Sequence, residues 1–140
     1  MISVRKQEVV KLENVLHLYQ AVGWTNYTHQ PQMLEKSLSH SLAIYLALDG
    51  EAIVGLVRLV GDGFSSVFVQ DLIVLPSYQR QGIGSALVKE ALIDYKDAYQ
   101  IQLVTDQTEK NLEFYRSLGF ETLSTYDCTG MIWVERKKIK

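Results

Sequence analysis

Three observations predict an α/β fold, built on one mixed and mostly antiparallel twisted sheet with helices packed on it. Apolar runs separated by turn residues come in series: Leu42–Leu48, Asp49-Gly50, Ala52–Val60, Gly61-Asp62-Gly63 and Val67–Leu75. The rhythm then changes to a helix, a short apolar strand and a second helix, which implies a parallel crossover. Finally, the chain has 140 residues, of which 47% are hydrophobic and 21% charged. That size and composition suit one domain that buries roughly 68–70% of its unfolded surface. We therefore expect a single domain over residues 1–140, with about six or seven strands and about four helices.

Element by element, Ile2–Arg5 alternates polar and apolar residues and reads as a short strand. Leu12, Val15, Leu16 and Tyr19 recur at helical spacing, so Val9–Val22 reads as a helix closed by Gly23. A polar loop carrying Trp24, Tyr27, Thr28 and His29 follows, and Pro31 suits the first turn of a second helix with Leu34 and Leu38 on one face. Three antiparallel strands come next. Gly84–Tyr95 then places Leu87, Val88, Ala91, Leu92 and Tyr95 on one helical face. Ile101–Val104 is a short strand, and Thr108–Leu118 is a helix that opens on Asp106 and Glu109, the spacing of a capping box, and ends at Gly119. Phe120–Thr125 and Met131–Val134 read as closing strands.

The charges, 14 basic against 16 acidic, leave a net −2, which offers no footprint for nucleic acid. The basic tail Arg136, Lys137, Lys138 and Lys140 reads as a solvated strand end. Cys128 is the one cysteine, so no disulfide forms within the chain; it reads as a small filler in a late strand. No apolar run reaches the roughly 18 residues needed to cross a membrane, and Met1–Val10 lacks a signal-peptide core. A cytoplasmic protein with no membrane partner is the expectation, and Asn26-Tyr27-Thr28 is then a chance match to a glycosylation acceptor. His17, His29 and His40 lie twelve and eleven residues apart, a spacing with no metal pattern, and no metal is expected.

The segment from Val69 to Gly84 carries the chemistry. A buried strand runs into a turn, then Gly82 and Gly84 one residue apart, then a helix. Bare glycines expose backbone N–H groups at a helix N-terminus, and together these make an anion site suited to phosphate. No acidic residue occurs from Leu72 through Lys89, while Arg80 lies in the turn. Helix first turns ordinarily favour Asp or Glu, so an outside anion can take that place. A P-loop is excluded because no Gly-Lys follows, and a dinucleotide fingerprint because Leu87 stands where its third glycine belongs.

Gln79-Arg80-Gln81-Gly82-Ile83-Gly84 resembles the Q/R-x-x-G-x-G/A signature of the GNAT superfamily of acetyl-coenzyme A-dependent N-acetyltransferases. Downstream, Asn111-Leu112-Glu113-Phe114-Tyr115-Arg116-Ser117-Leu118-Gly119-Phe120 is similar to that family's N-x-x-x-Y-x-x-x-G-F block. The resemblance covers nearly the whole chain and implies a GNAT-like fold. It implies that acetyl-CoA is the cosubstrate, with its pyrophosphate on the amides of Gln81, Gly82, Ile83, Gly84 and Ser85 beside Gln79 and Arg80. The main chain of Leu72, Ile73 and Val74 would bind the pantetheine arm and polarise the thioester carbonyl. It also implies Tyr115 as a coenzyme contact and as general acid, because a neutral phenol can protonate a departing thiolate, and Asn111 as a contact to the coenzyme or an ordered water.

Asp71 is a candidate base. Under strict alternation it faces the same side as Val69 and Ile73, where desolvation would raise its basicity; a satisfied structural carboxylate and a main-chain-held water are the alternatives. Trp24 and Tyr27 are candidates for the acceptor pocket, to be weighed against plain packing. The expected reaction is direct acetyl transfer to a primary amine of a small molecule or peptide through a tetrahedral intermediate. A non-catalytic acyl-CoA-binding module and a protein-directed acetyltransferase are the rivals. A homodimer is a family-level expectation.

Overall fold

The computed structural model describes residues 1–134 and divides into two compact units, Met1–Leu103 and a second that begins at Val104. The first unit holds a sheet of five strands in the order β1-β2-β3-β4-β5. These are β1 (Ile2–Lys6), β2 (Ala43–Asp49), β3 (Ala52–Gly61), β4 (Ser66–Val74) and β5 (Gln100–Leu103). The first three pairings are antiparallel and β4 to β5 is parallel. The mixed, mostly antiparallel sheet is as the turn pattern predicts. Its helices are α1 (Leu12–Ala21), the short α2 (Thr25–Thr28), α3 (Pro31–Ser39) and α4 (Ile83–Asp94).

Helices cover both faces of the sheet. On one face, Ile44, Leu46, Leu48, Leu56 and Ile73 bury against Val15, Leu18 and Tyr19 of α1 and Leu34 and Leu38 of α3. On the other, Tyr45, Ala47, Val57, Leu59, Val67 and Val69 bury against Ile83, Leu87 and Ala91 of α4. α1 ends at the expected glycine: Gly23 takes φ +71°, and its N–H donates to the Gln20 carbonyl. The β2–β3 hairpin pairs Asp49 with Ala52, leaving Gly50 and Glu51 as the turn. At the β3–β4 turn, the Ser65 hydroxyl donates to Asp62 Oδ2, and Asp62 Oδ1 accepts from the N–H groups of Phe64, Ser65 and Ser66; the hydroxyl first, then these N–H groups, hold its carboxyl well below the usual range.

One irregularity matters for function. The β3–β4 register shifts between Arg58 and Leu59, pairing Arg58 with Asp71 but Leu59 with Val69, so Gln70 is an extra residue in β4. The extra residue reverses the alternation. Val67 and Val69 face α4, whereas Ile73 faces α1 and Asp71 bonds to Tyr19 of that helix. The expectation that Asp71 shares a side with both Val69 and Ile73 is corrected accordingly: it shares one with Ile73 only.

The second unit holds helix α5 (Glu109–Ser117) and a 3-10 turn over Leu123–Tyr126. The cap of α5 is Thr108, whose hydroxyl accepts from the Asn111 N–H, not Asp106. The two closing strands are not formed among the described residues, and five strands stand in place of six or seven. Over 122–127, local bonds satisfy the backbone: the Thr125 N–H donates to the Thr122 carbonyl and the Asp127 N–H to that of Ser124. Met131, Ile132, Trp133 and Val134 are all exposed, so no buried face selects a strand there. Cys128 is exposed as well, rather than a core filler. The basic tail lies outside the described residues.

Candidate functional site

The strand–turn–helix junction is built from the core outward. Ile83 opens α4 with its side chain buried against the sheet, in line with Leu87 and Ala91. That anchoring turns the start of the helix outward. The preceding residue, Gly82, is left-handed at φ +79°, and a Cβ built there would meet nothing within 4 Å. The first turn of α4 contains no acidic side chain and its N-cap supplies no side-chain bond. The amides at this end are therefore left to an outside acceptor.

Arg80 adds a second sign. It is left-handed at φ +67°, a conformation that costs a residue with a Cβ about 1–2 kcal/mol. Such strain gathers at ligand-binding turns, which marks this turn as a candidate site. Gln79 Nε2 donates to the Val74 carbonyl at 3.1 Å, so Gln79 straps the turn back onto the strand. The residues present therefore fit a diphosphate: bare main chain, a positive side chain, and room where a Cβ would stand.

Strand β4 supplies an open edge next to this cradle. Its pairing with β5 ends at Val69 and Leu103, while β4 runs on to Val74. Among the described residues no strand pairs with 70–74 on that side. The Leu75 N–H donates to the Val54 carbonyl, and the Ile73 carbonyl oxygen lies 2.9 Å from where a Gly55 Cβ would be. Ile73 thus turns its main chain toward β3, and by alternation Leu72 and Val74 present theirs to the open edge.

Asp71, the candidate base, lies 3% exposed in a polar cluster. Its Oδ2 accepts from Tyr19 OH at 2.8 Å and Arg58 Nε at 2.7 Å, and its Oδ1 accepts from Tyr27 OH at 2.8 Å. Arg58 Nη2 also donates to Tyr27 OH at 3.2 Å. Burial first, then the Asp71 carboxylate, pushes the phenols of Tyr19 and Tyr27 above the ordinary tyrosine range, so both remain proton donors. Burial works against the Arg58 charge, and Asp71 more than restores it. Tyr27 lies on α2 with its hydroxyl turned inward, and Trp24 packs beside it with ring centroids 6.2 Å apart. The candidate acceptor residues are therefore tied to Asp71 and the core.

Arg58 and Tyr19 were not singled out from the sequence. A lone arginine in the apolar run Ala52–Val60 is the signal that could have found the first, because a buried charge requires a partner.

The second unit holds the other two candidates. Tyr115 sits on α5 with Phe114 and Phe120 edge-on at 4.9 and 5.9 Å. Burial raises its phenol above the ordinary range, which keeps the proton on it at neutral pH. Asn111 Nδ2 donates to Thr105 Oγ1 at 3.1 Å.

Residues 40–122 match the family model described as an acetyltransferase (GNAT) domain. The chain belongs to the GNAT acetyltransferase family. The match crosses from the first unit into the second and includes both glycine turn and Tyr115. A GNAT family acetyltransferase from Streptococcus pneumoniae is 76% identical, with a TM-score of 0.91 over 97% of this chain and 99% of that one. Histone acetyltransferase TAP1 of Glycine max is 34% identical over 58% of this chain. The chain spans only 35% of that relative's length. An aminoglycoside N-acetyltransferase solved with CoA has a TM-score of 0.71 at 16% identity, over 95% of this chain and 93% of that one, a likeness of fold alone.

Proposed function

We propose that this GNAT domain moves the acetyl group of acetyl-CoA directly onto a primary amine of a small molecule or peptide. The observation that carries the reading is the junction itself: left-handed Gly82 opening onto empty space beside Arg80, at a helix start without an acidic side chain. Gln81, Gly82, Ile83, Gly84 and Ser85 would hold the diphosphate by their amides, with Arg80 supplying charge. Leu72 and Val74 would hold the pantetheine arm as an added strand would be held, and one of their N–H groups would polarise the carbonyl. Ile73 supports them from the core. Acetyl-CoA supplies the activated acyl group; no covalent bond to the protein is required.

Tyr115 is proposed as the general acid for the departing thiolate, with Asn111 as a coenzyme contact. The relatives' names span a histone and an aminoglycoside acceptor, so both acceptor classes enter the test. We place the reaction in the cytoplasm, because the chain's one cysteine fits a reducing compartment and no helix among the described residues is long and apolar enough to cross a membrane. The homodimer expected from the resemblance is to be read by sedimentation.

Acetyl-CoA at about 100 times its dissociation constant should stabilise the protein by about 2.7 kcal/mol, a rise of roughly 5–10 °C in melting temperature. An unmoved transition at millimolar coenzyme would remove the assignment. Thiol release is then followed with polyamines, arylalkylamines, aminoglycosides, amino acids and peptides. Binding without turnover on any amine would favour the non-catalytic module. Tyr115→Phe should lower turnover by about 100- to 10,000-fold, more than it lowers coenzyme affinity, as loss of a proton donor does. Equal turnover would make Tyr115 a packing residue.

A further inference from the structure

Four elements each contribute one side chain to the buried cluster: Tyr19 from α1, Tyr27 from α2, Arg58 from β3 and Asp71 from β4. Arg58 Nη1 extends it to Ser41 Oγ at 3.2 Å and to the Ser37 carbonyl at 3.5 Å. No buried side-chain polar atom among the described residues lacks a partner. A buried ion pair is seldom more stabilising than apolar side chains of the same volume, so its location needs a reason beyond stability.

That location is specific. Asp71 directly follows the extra residue Gln70 and directly precedes Leu72, where β4 has already lost β5 as a neighbour. From there to Val74 the strand is bonded to another strand on the β3 side only. Asp71 is also cross-strand partner to Arg58. The cluster thus pins the start of the open segment to one strand and two helices at once.

We propose that Tyr19, Tyr27, Arg58 and Asp71 form a clamp that positions the β4 main chain at Leu72 and Val74 for acetyl transfer, with Asp71 acting through this clamp and not as the base. The inference rests on the function proposed above. Both Asp71 oxygens are occupied by three donors, two of them phenols held in their protonated form. At 3% exposed, the carboxylate leaves an amine little approach to its one remaining lone-pair site.

Tyr19→Phe is the discriminating variant. Tyr19 is 0% exposed, so it touches neither coenzyme nor acceptor, and the change removes one hydroxyl. Amide hydrogen exchange at Asp71 and Ile73, whose main chain faces β3 by the same alternation, should quicken at least about fivefold in the coenzyme-free protein, while exchange in α4 stays unchanged. With the best amine of the panel, kcat should fall about fivefold or more at unchanged KM. The pH–rate profile should keep its shape in Tyr19→Phe and in Asp71→Asn, because neither removes the base. Unchanged exchange at Asp71 and Ile73, or an unchanged kcat, would overturn the clamp. Loss of the acidic limb in Asp71→Asn alone would also overturn it and restore Asp71 as the base. If the wild type binds no coenzyme, the proposed function fails and the clamp's role goes with it; if it binds coenzyme while Tyr19→Phe behaves as wild type, the clamp alone fails.

Discussion

Gly82→Asp abolishes the thermal stabilisation given by acetyl-CoA. The Cβ it adds points into the space assigned to the diphosphate, and the carboxylate behind it repels what the helix N-terminus attracts. The expected loss in affinity is at least about a hundredfold, close to 2.7 kcal/mol. Backbone strain accompanies any side chain at φ +79° and lowers the melting temperature of the free protein by itself. Gly82→Ala separates the two effects: it carries the same strain without the charge and keeps part of the coenzyme shift. A Gly82→Asp protein that folds and still shifts as the wild type does would place the diphosphate elsewhere.

The second large effect is on stability. Arg58→Met removes the cation from a pair whose side chains are 5% and 2% exposed, leaving the Asp71 carboxylate buried without its counter-charge. Breaking a buried pair on one side costs about 3–5 kcal/mol, a large part of the 5–15 kcal/mol that holds a domain folded. The double variant Arg58→Met/Asp71→Asn removes both charges, keeps a carbonyl acceptor for the phenols, and should recover part of that loss. Chemical denaturation of the wild type and both variants measures this. A single variant as stable as the wild type, or a double variant no better than the single, would show that the pair is not sealed from water.

The first half of the fold was legible because strong local signals agreed. Asp49-Gly50 and Gly61-Asp62-Gly63 marked the hairpins, and the unbroken apolar runs between them could only be buried strands. The glycine turn was legible for the same reason: Gly82 and Gly84 stand one residue apart between a buried strand and a helix, with acids missing around them. What escaped depended on one extra residue. Gln70 carries no mark that distinguishes a bulge from a regular strand position, yet it reverses the faces of everything after it, and the reading of Asp71 inherited that error. Tyr19 read as one more apolar contact on α1, because helical spacing shows which face is buried and not what a phenol at its tip will bond. The late segment misled in the opposite way. Met131–Val134 has the apolar content of a strand, but with all four side chains exposed nothing in the described structure sets a ladder.

The most direct measurement follows the backbone amides of the 15N-labelled protein by NMR while coenzyme A is added. The account predicts that the largest shifts fall on Gly82, Ile83 and Gly84, with Leu72 and Val74 moving as well, and that pantetheine, which lacks the diphosphate, moves Leu72 and Val74 but leaves the glycine turn still. Saturating coenzyme A that leaves the amides of 82–84 in place while others move would contradict it.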